Sequence, residues 1–171
     1  MAKIVTPFGP QHPVLPEPLQ LNITYEDEKV VSVAPAIGYI HRGLEKAGEL
    51  NDFPQNVFLV ERVCGICSFM HGMTYCEAIE DIMGIEIPPR AKYLRVFYSE
   101  LSRIHSHLLW LGLLADAFGF ESLFMKYWAI RERIVDLMEM TGGHRIILSA
   151  SCIGGVRRDL NDEQISIVEK T

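Results

Sequence analysis

The chain opens on a stretch where apolar and polar residues follow no helical period. Pro7, Pro10, Pro13, Pro16 and Pro18 crowd its first eighteen positions, which forbids regular helix and predicts an extended, turn-rich start. Two runs of β-formers follow, Leu19 to Ile23 and Val30 to Val33, around the polar break Glu26-Asp27-Glu28-Lys29. That pattern predicts a hairpin of two short strands. From Gly43 the period changes: Leu44, Ala47 and Leu50 recur at helical spacing, and Pro54 lies near the start of a further helix over Gln55 to Val60. Three longer helices are predicted, over residues 66–83, over Lys92 to Phe118 after Pro88-Pro89, and over Ser122 to Met140 before the terminating Gly142-Gly143. In the second of these, Leu94, Tyr98, Leu101, Ile104, Leu108 and Leu111 recur every three or four positions, the mark of a core stripe. Asn161-Asp162-Glu163-Gln164 before Ile165, Ile167 and Val168 supplies the polar cap and acidic first turn of another helix, and the sequence is expected to break off inside a longer element there. The fold class expected is mainly α with a short N-terminal β element, α+β.

No internal repeat, low-complexity tract or Gly/Ser linker divides the chain, so residues 1–171 are expected to form a single unit of a larger subunit. Against 22 acidic residues stand 16 basic ones, a net charge of −6, which lacks the basic surface that a nucleic-acid backbone demands. The longest apolar run, Leu108 to Leu114, is interrupted by Gly112 and falls far short of the roughly 20 residues that span a bilayer. The first eighteen residues lack the cationic region, apolar stretch and small-residue cleavage site of a signal peptide, so a cytoplasmic location is expected. Cysteines at 64, 67, 76 and 152 are too few and too uneven to staple a domain. Thiols kept reduced for chemistry are the better reading.

The chemistry concentrates in Glu61-Arg62-Val63-Cys64-Gly65-Ile66-Cys67-Ser68-Phe69-Met70-His71. Spacings of three and four at the start of a helix would place Cys64, Cys67 and His71 on one face, so that two sulfurs and an imidazole converge. A helix N-terminus and nearby Arg62 would draw the thiols down from about 8.5 toward the thiolates that metals bind. Soft sulfur suits zinc, an iron-sulfur cluster, copper(I) or nickel, so ligand type leaves the metal open. A C-x-x-C is also compatible with a metal-free redox dithiol or with two small residues packed at a helix start. Against the dithiol, long helices follow the motif, with no βαβ alternation. Cys76 falls on the far side of the same helix and Cys152 stands alone, so both are read as core residues.

The stretch from Arg62 to His71 resembles R-x-C-G-x-C-x-x-x-H, the N-terminal metal motif of nickel-iron hydrogenase large subunits. Gly9-Pro10-Gln11-His12-Pro13, the segment from Ile37 to Lys46 and Gly154-Gly155-Val156-Arg157-Arg158-Asp159 resemble segments shared by membrane-bound energy-converting (Ech-like) hydrogenases and the quinone-site subunit of respiratory complex I. That relative lacks the cysteine pair, which favours hydrogenase. The resemblance implies that Cys64 is a terminal nickel ligand, that Cys67 bridges nickel and iron, and that His71 is a hydrogen-bond partner beside the bridge, with Arg62 joining the catalytic group. It further implies iron carrying cyanide and carbon monoxide, heterolytic splitting of H2 linked to ferredoxin, and a second cysteine pair outside this sequence. Its partners would be a small subunit with an iron-sulfur cluster and membrane-embedded ion-translocating subunits, which would hold it on the inner face of the membrane. Glu17 occupies the position of a glutamate beside a terminal thiolate, suited to a first proton relay. As a bare loop acid it would simply be solvated. Glu45, in Arg42-Gly43-Leu44-Glu45, corresponds to a glutamate that helps hold a magnesium-like cation, although on a helix face it could equally pair with Arg42 or Lys46.

His12 and His41 fall in the motif-like loops and are candidates for the proton route. His105, His107 and His144 have no partner at ligand spacing and are read as structural. Met70, Met73, Met125, Met138 and Met140, with Trp110 and Trp128, are read as core filler.

Overall fold

A computed structural model describes residues 3–13, 15 and 17–171. Pro16, one of the prolines expected to shape the start, lies outside the described residues. Contacts group the chain into two compact units, Met1–Gly43 and Leu44–Thr171, and the class is the expected one, mainly helical with an N-terminal sheet.

The first unit is an antiparallel sheet in the order β1 (Lys3–Phe8), β2 (Gln20–Glu26), β3 (Lys29–Ala36). The expected hairpin is β2–β3, with Glu26 opposite Lys29 and Asp27 at φ 58; aspartate tolerates that left-handed turn position better than most residues. Strand β1 fits the extended start expected, but its pairing as a third strand beside the hairpin goes beyond the two strands expected. Pro7 sits opposite Asn22 on a strand paired on one side, where a missing N–H costs no ladder bond.

The second unit holds α1 (Leu44–Leu50), α2 (Phe53–Glu61), α3 (Ser68–Met83), α4 (Pro89–Ala117), α5 (Glu121–Gly142), a minimal hairpin of β4 (Ser151–Cys152) and β5 (Gly155–Val156), and α6 (Asp162–Lys170). Pro89 opens α4, three residues before the expected start, since proline loses no helical bond in the first turn. Gly143 ends α5 at φ 83, a conformation that suits glycine at a helix terminus. Helix α6 carries a full capping box, with Asn161 Oδ1 accepting from the Gln164 N–H and Gln164 Oε1 from the Asn161 N–H.

The core lies where α3, α4 and α5 meet the segment after α5. Phe69, Leu94, Tyr98, Leu101, Leu137, Met138, Leu148 and Ala150 are all buried there. The Phe69 and Tyr98 rings pack with centroids 5.7 Å apart and planes tilted by 46°, and the Tyr98 hydroxyl donates to the Thr141 carbonyl at 3.1 Å. Burial pushes that hydroxyl up to about 12. The α4 stripe holds through Leu94, Tyr98 and Leu101 and then departs from expectation: Ile104 is exposed, while Ser102, His105, Gly112 and Ala115 are buried. The apolar pattern misplaces the buried face because α5 brings its own polar group, Arg131, which contacts His105. Burial and the neighbouring Arg131 pull His105 down to about 4. Met138 is buried and Met73 and Met140 pack against the core, but Met70, Met125 and Trp110 are exposed. For these three the core reading is wrong, because residue type alone does not set which side of a helix faces solvent. Among the described residues no helix is long and apolar enough to cross a membrane.

Candidate metal centre

The C-x-x-C motif occupies the loop between α2 and α3. Cys67 is the N-cap of α3, and Cys64 precedes the helix altogether. The expectation of one shared helical face is therefore corrected: His71 stands one turn into α3, Cys67 at its threshold, and Cys64 arrives through a turn. The three still converge. One sulfur from each cysteine and one ring nitrogen of His71 lie within 4.8 Å of one another, all half-buried.

The turn is organised around the first sulfur. The N–H groups of Ile66 and Cys67 both point at Cys64 Sγ, 3.4 Å away, and such donors favour a thiolate over a thiol. The positive end of α3, beginning at Cys67, acts in the same sense. Arg62 caps α2, donating from Nη1 to the Phe58 carbonyl at 2.8 Å. Beside the ligand group runs a cleft of about 530 Å³ lined by Val60, Val63, Cys67, Met70, His71 and Tyr75 among others. Two sulfurs and an imidazole suit a soft metal and leave its coordination incomplete. Cys76 does not help: it is fully buried within α3, and burial pushes its thiol up to about 11. Cys152 lies half-buried in β4, outside the group.

Glu45 is exposed on α1 and lines, with Glu49 and Asn56, a second cleft that adjoins the first along Val60, Val63 and Tyr75. Lys46 pairs with Glu49 at 2.6 Å. Glu17 is exposed in the first unit's loop; in the same unit His12 stacks on Phe8 at 4.2 Å and His41 is exposed.

What sequence reasoning misses lies behind the motif. Glu61, the last residue of α2, is fully buried and accepts the Ser149 hydroxyl. Burial pushes its carboxyl above the usual range, against the opposing pull of Ser149, Arg157 and Arg62. The segment bearing Ser149 is itself anchored. Arg95 makes two bonds to Glu80, of 2.6 and 2.9 Å, and also donates to the Cys152 and Gly155 carbonyls, while the Gly154 N–H donates to Glu80 at 2.7 Å. The only sequence signals are an acid inside the motif and a GGVRRD segment; nothing marks Ser149.

Two family models match the chain. Residues 42–116 match the family model described as nickel-dependent hydrogenase, and residues 117–171 match that of the respiratory-chain NADH dehydrogenase 49 Kd subunit. The chain is 44% identical to membrane-bound hydrogenase subunit alpha of Pyrococcus furiosus, over 95% of this chain and 38% of that protein. It is 39% identical to an NADH-quinone oxidoreductase subunit of Thermodesulfovibrio yellowstonii, over 97% of this chain and 41% of the relative. Among solved structures it matches a chain of the membrane-bound sulfane sulfur reductase, an archaeal respiratory membrane complex, with TM-score 0.90, 29% identity, and coverage of 98% of this chain and 45% of that one. The chain thus spans less than half the length of each of these proteins.

Proposed function

Because this chain belongs to the family that joins nickel-dependent hydrogenases to the 49 Kd subunit of respiratory NADH dehydrogenase, we propose that it is the N-terminal part of the catalytic subunit of a membrane-bound nickel-iron hydrogenase. The observation that carries this reading is the convergence of Cys64, Cys67 and His71 within 4.8 Å. Cys64 and Cys67 would hold the metals as thiolates, and His71 would orient the second sulfur through its ring. When bound, the nickel-iron centre, its iron carrying cyanide and carbon monoxide, supplies the Lewis-acidic site at which H2 is polarised and split heterolytically.

The remaining work belongs to side chains of this chain. The Ile66 and Cys67 amides hold Cys64 Sγ in place and favour its charged form. Glu17 is the proposed first proton acceptor, and Arg62, fixed to the end of α2, adds positive charge beside the motif. Glu45, exposed on α1 while Lys46 pairs with Glu49 instead, is the proposed magnesium ligand. The further thiolates are proposed to come from the part of the larger subunit outside this sequence. A small subunit with an iron-sulfur cluster would pass electrons toward ferredoxin, and membrane-embedded ion-translocating subunits would hold the assembly at the inner face of the cell membrane.

A second reading has its own support. The match of residues 117–171 to the 49 Kd subunit favours a non-catalytic scaffold of the complex I kind, with the cysteines holding nothing or zinc. Metal content separates the two. In the native assembly, nickel and iron should be present in stoichiometric amounts and lost when Cys64 and Cys67 are replaced by serine. Zinc alone, or no metal, in the unaltered assembly would sink the hydrogenase reading in favour of the scaffold. Reversible dithiol oxidation without metal would favour redox exchange instead.

A further inference from the structure

Glu61 is unusual in its surroundings. It is a fully buried acid at the end of a helix, three residues before the first candidate ligand. One carboxyl oxygen, Oε2, accepts the Ser149 hydroxyl. The other, Oε1, is buried with no hydrogen-bond partner among the described residues. An acid serving stability alone would be better replaced by an apolar side chain of the same volume, since an unsatisfied buried oxygen is costly.

Two neighbours are shaped around it. At Gly72 an added Cβ would lie 2.7 Å from both Glu61 Cγ and Oε1, so only glycine lets the carboxyl lie against α3 at the position next to His71. On the opposite side Ser149 adopts φ 44, the left-handed region that a residue with a side chain enters only where its surroundings enforce it. The enforcement is visible: the Arg157 N–H donates to the Ala150 carbonyl at 2.8 Å, and the Glu80–Arg95 pair grips residues 152–155. The charged groups acting on Glu61 are Arg157, from the segment after β5, and Arg62, from its own helix end.

We propose that Glu61 is the positioning residue of the Cys64–Cys67 loop: its carboxyl fastens the end of α2 to Ser149 through a hydrogen bond and packs closely against α3 at Gly72, the position next to His71. The spacing of two sulfurs and one imidazole is then set by protein contacts before any metal binds. That consequence for the metal rests on the hydrogenase reading; the fastening itself does not.

The test is hydrogen exchange of the peptide spanning residues 62–67, read by mass spectrometry in the native assembly, together with nickel and iron content of the same samples. Glu61→Ala should exchange there about tenfold faster while α5 stays unchanged, and its metal content should fall. Glu61→Gln keeps an acceptor for Ser149 and nearly the same volume, so it should restore both readouts. Ser149→Ala, which leaves Glu61 in place, should give a smaller acceleration in the same peptide and serves if Glu61→Ala does not fold. Unchanged exchange at residues 62–67 in both alanine variants, or equal acceleration in α5, would overturn the proposal. An unaltered assembly without nickel or iron would defeat the hydrogenase reading, yet the exchange data would still decide the role of Glu61.

Discussion

Glu61 and Glu80 are both buried acids, at the end of α2 and within α3, the helices that flank the Cys64–Cys67 loop, and their charges are accommodated in opposite ways. Around Glu80 every demand is met. Arg95 bonds both carboxyl oxygens and the Gly154 N–H adds a third donor, so although burial would raise its pKa, these contacts prevail and lower it. Around Glu61 burial prevails, because one hydroxyl and two arginine charges do not compensate for the lost water. The first arrangement is a clamp that ties α3 and α4 to the β4–β5 hairpin. The second leaves an oxygen unsatisfied beside the candidate ligands, which is where a protein tolerates local cost in exchange for geometry. Identical burial of one residue type therefore says little until the donors around it are counted.

The comparison can be broken most forcefully at the clamp. Arg95→Met strands the Glu80 carboxylate in the core and should cost about 3–5 kcal/mol, seen as a large fall in the thermal unfolding temperature of the purified protein. Glu61→Ala should cost less, about 1–3 kcal/mol, since it removes one hydrogen bond and an acid that was already unfavourable where it sits.

The pH dependence of the conservative variants sharpens the contrast further. A raised folded pKa makes the Glu61 contribution complete below the ordinary value of 4.5 and lost as pH climbs through the folded value. Glu61→Gln should therefore gain on the unaltered protein as pH rises from there. For Glu80 the folded value is lowered, so its contribution is present above 4.5 and lost as pH falls. Glu80→Gln should show its full deficit at neutral pH and a shrinking one in acid. Unfolding midpoints measured across that range should give slopes of opposite sign, and parallel curves would refute the distinction. At the small end, Lys46→Ala breaks an exposed pair with Glu49 and should leave the midpoint unchanged, as solvated ion pairs generally do.

Much of the fold is legible in the sequence because local rules decide it. The prolines and glycines at helix ends, the Asn161 capping box and the β2–β3 turn at Asp27 act within a few residues, and sequence carries them whole. Strand β1 is hidden because a proline counts against a strand until its edge position is known. The burial of His105 rather than Ile104 is hidden because it depends on what α5 presents to α4.

The sequence by itself determined the soft donors of the site, two cysteines and a histidine within eight residues, since residue identity fixes ligand chemistry. Only the tertiary structure decided how they meet. Cys64 is brought in by a turn rather than by helical spacing, and the residues that secure that turn come from position 61 and from position 149, almost ninety residues later. No local pattern links such distant positions, because their proximity is created by the packing of α2, α3 and the segment after α5 into one core.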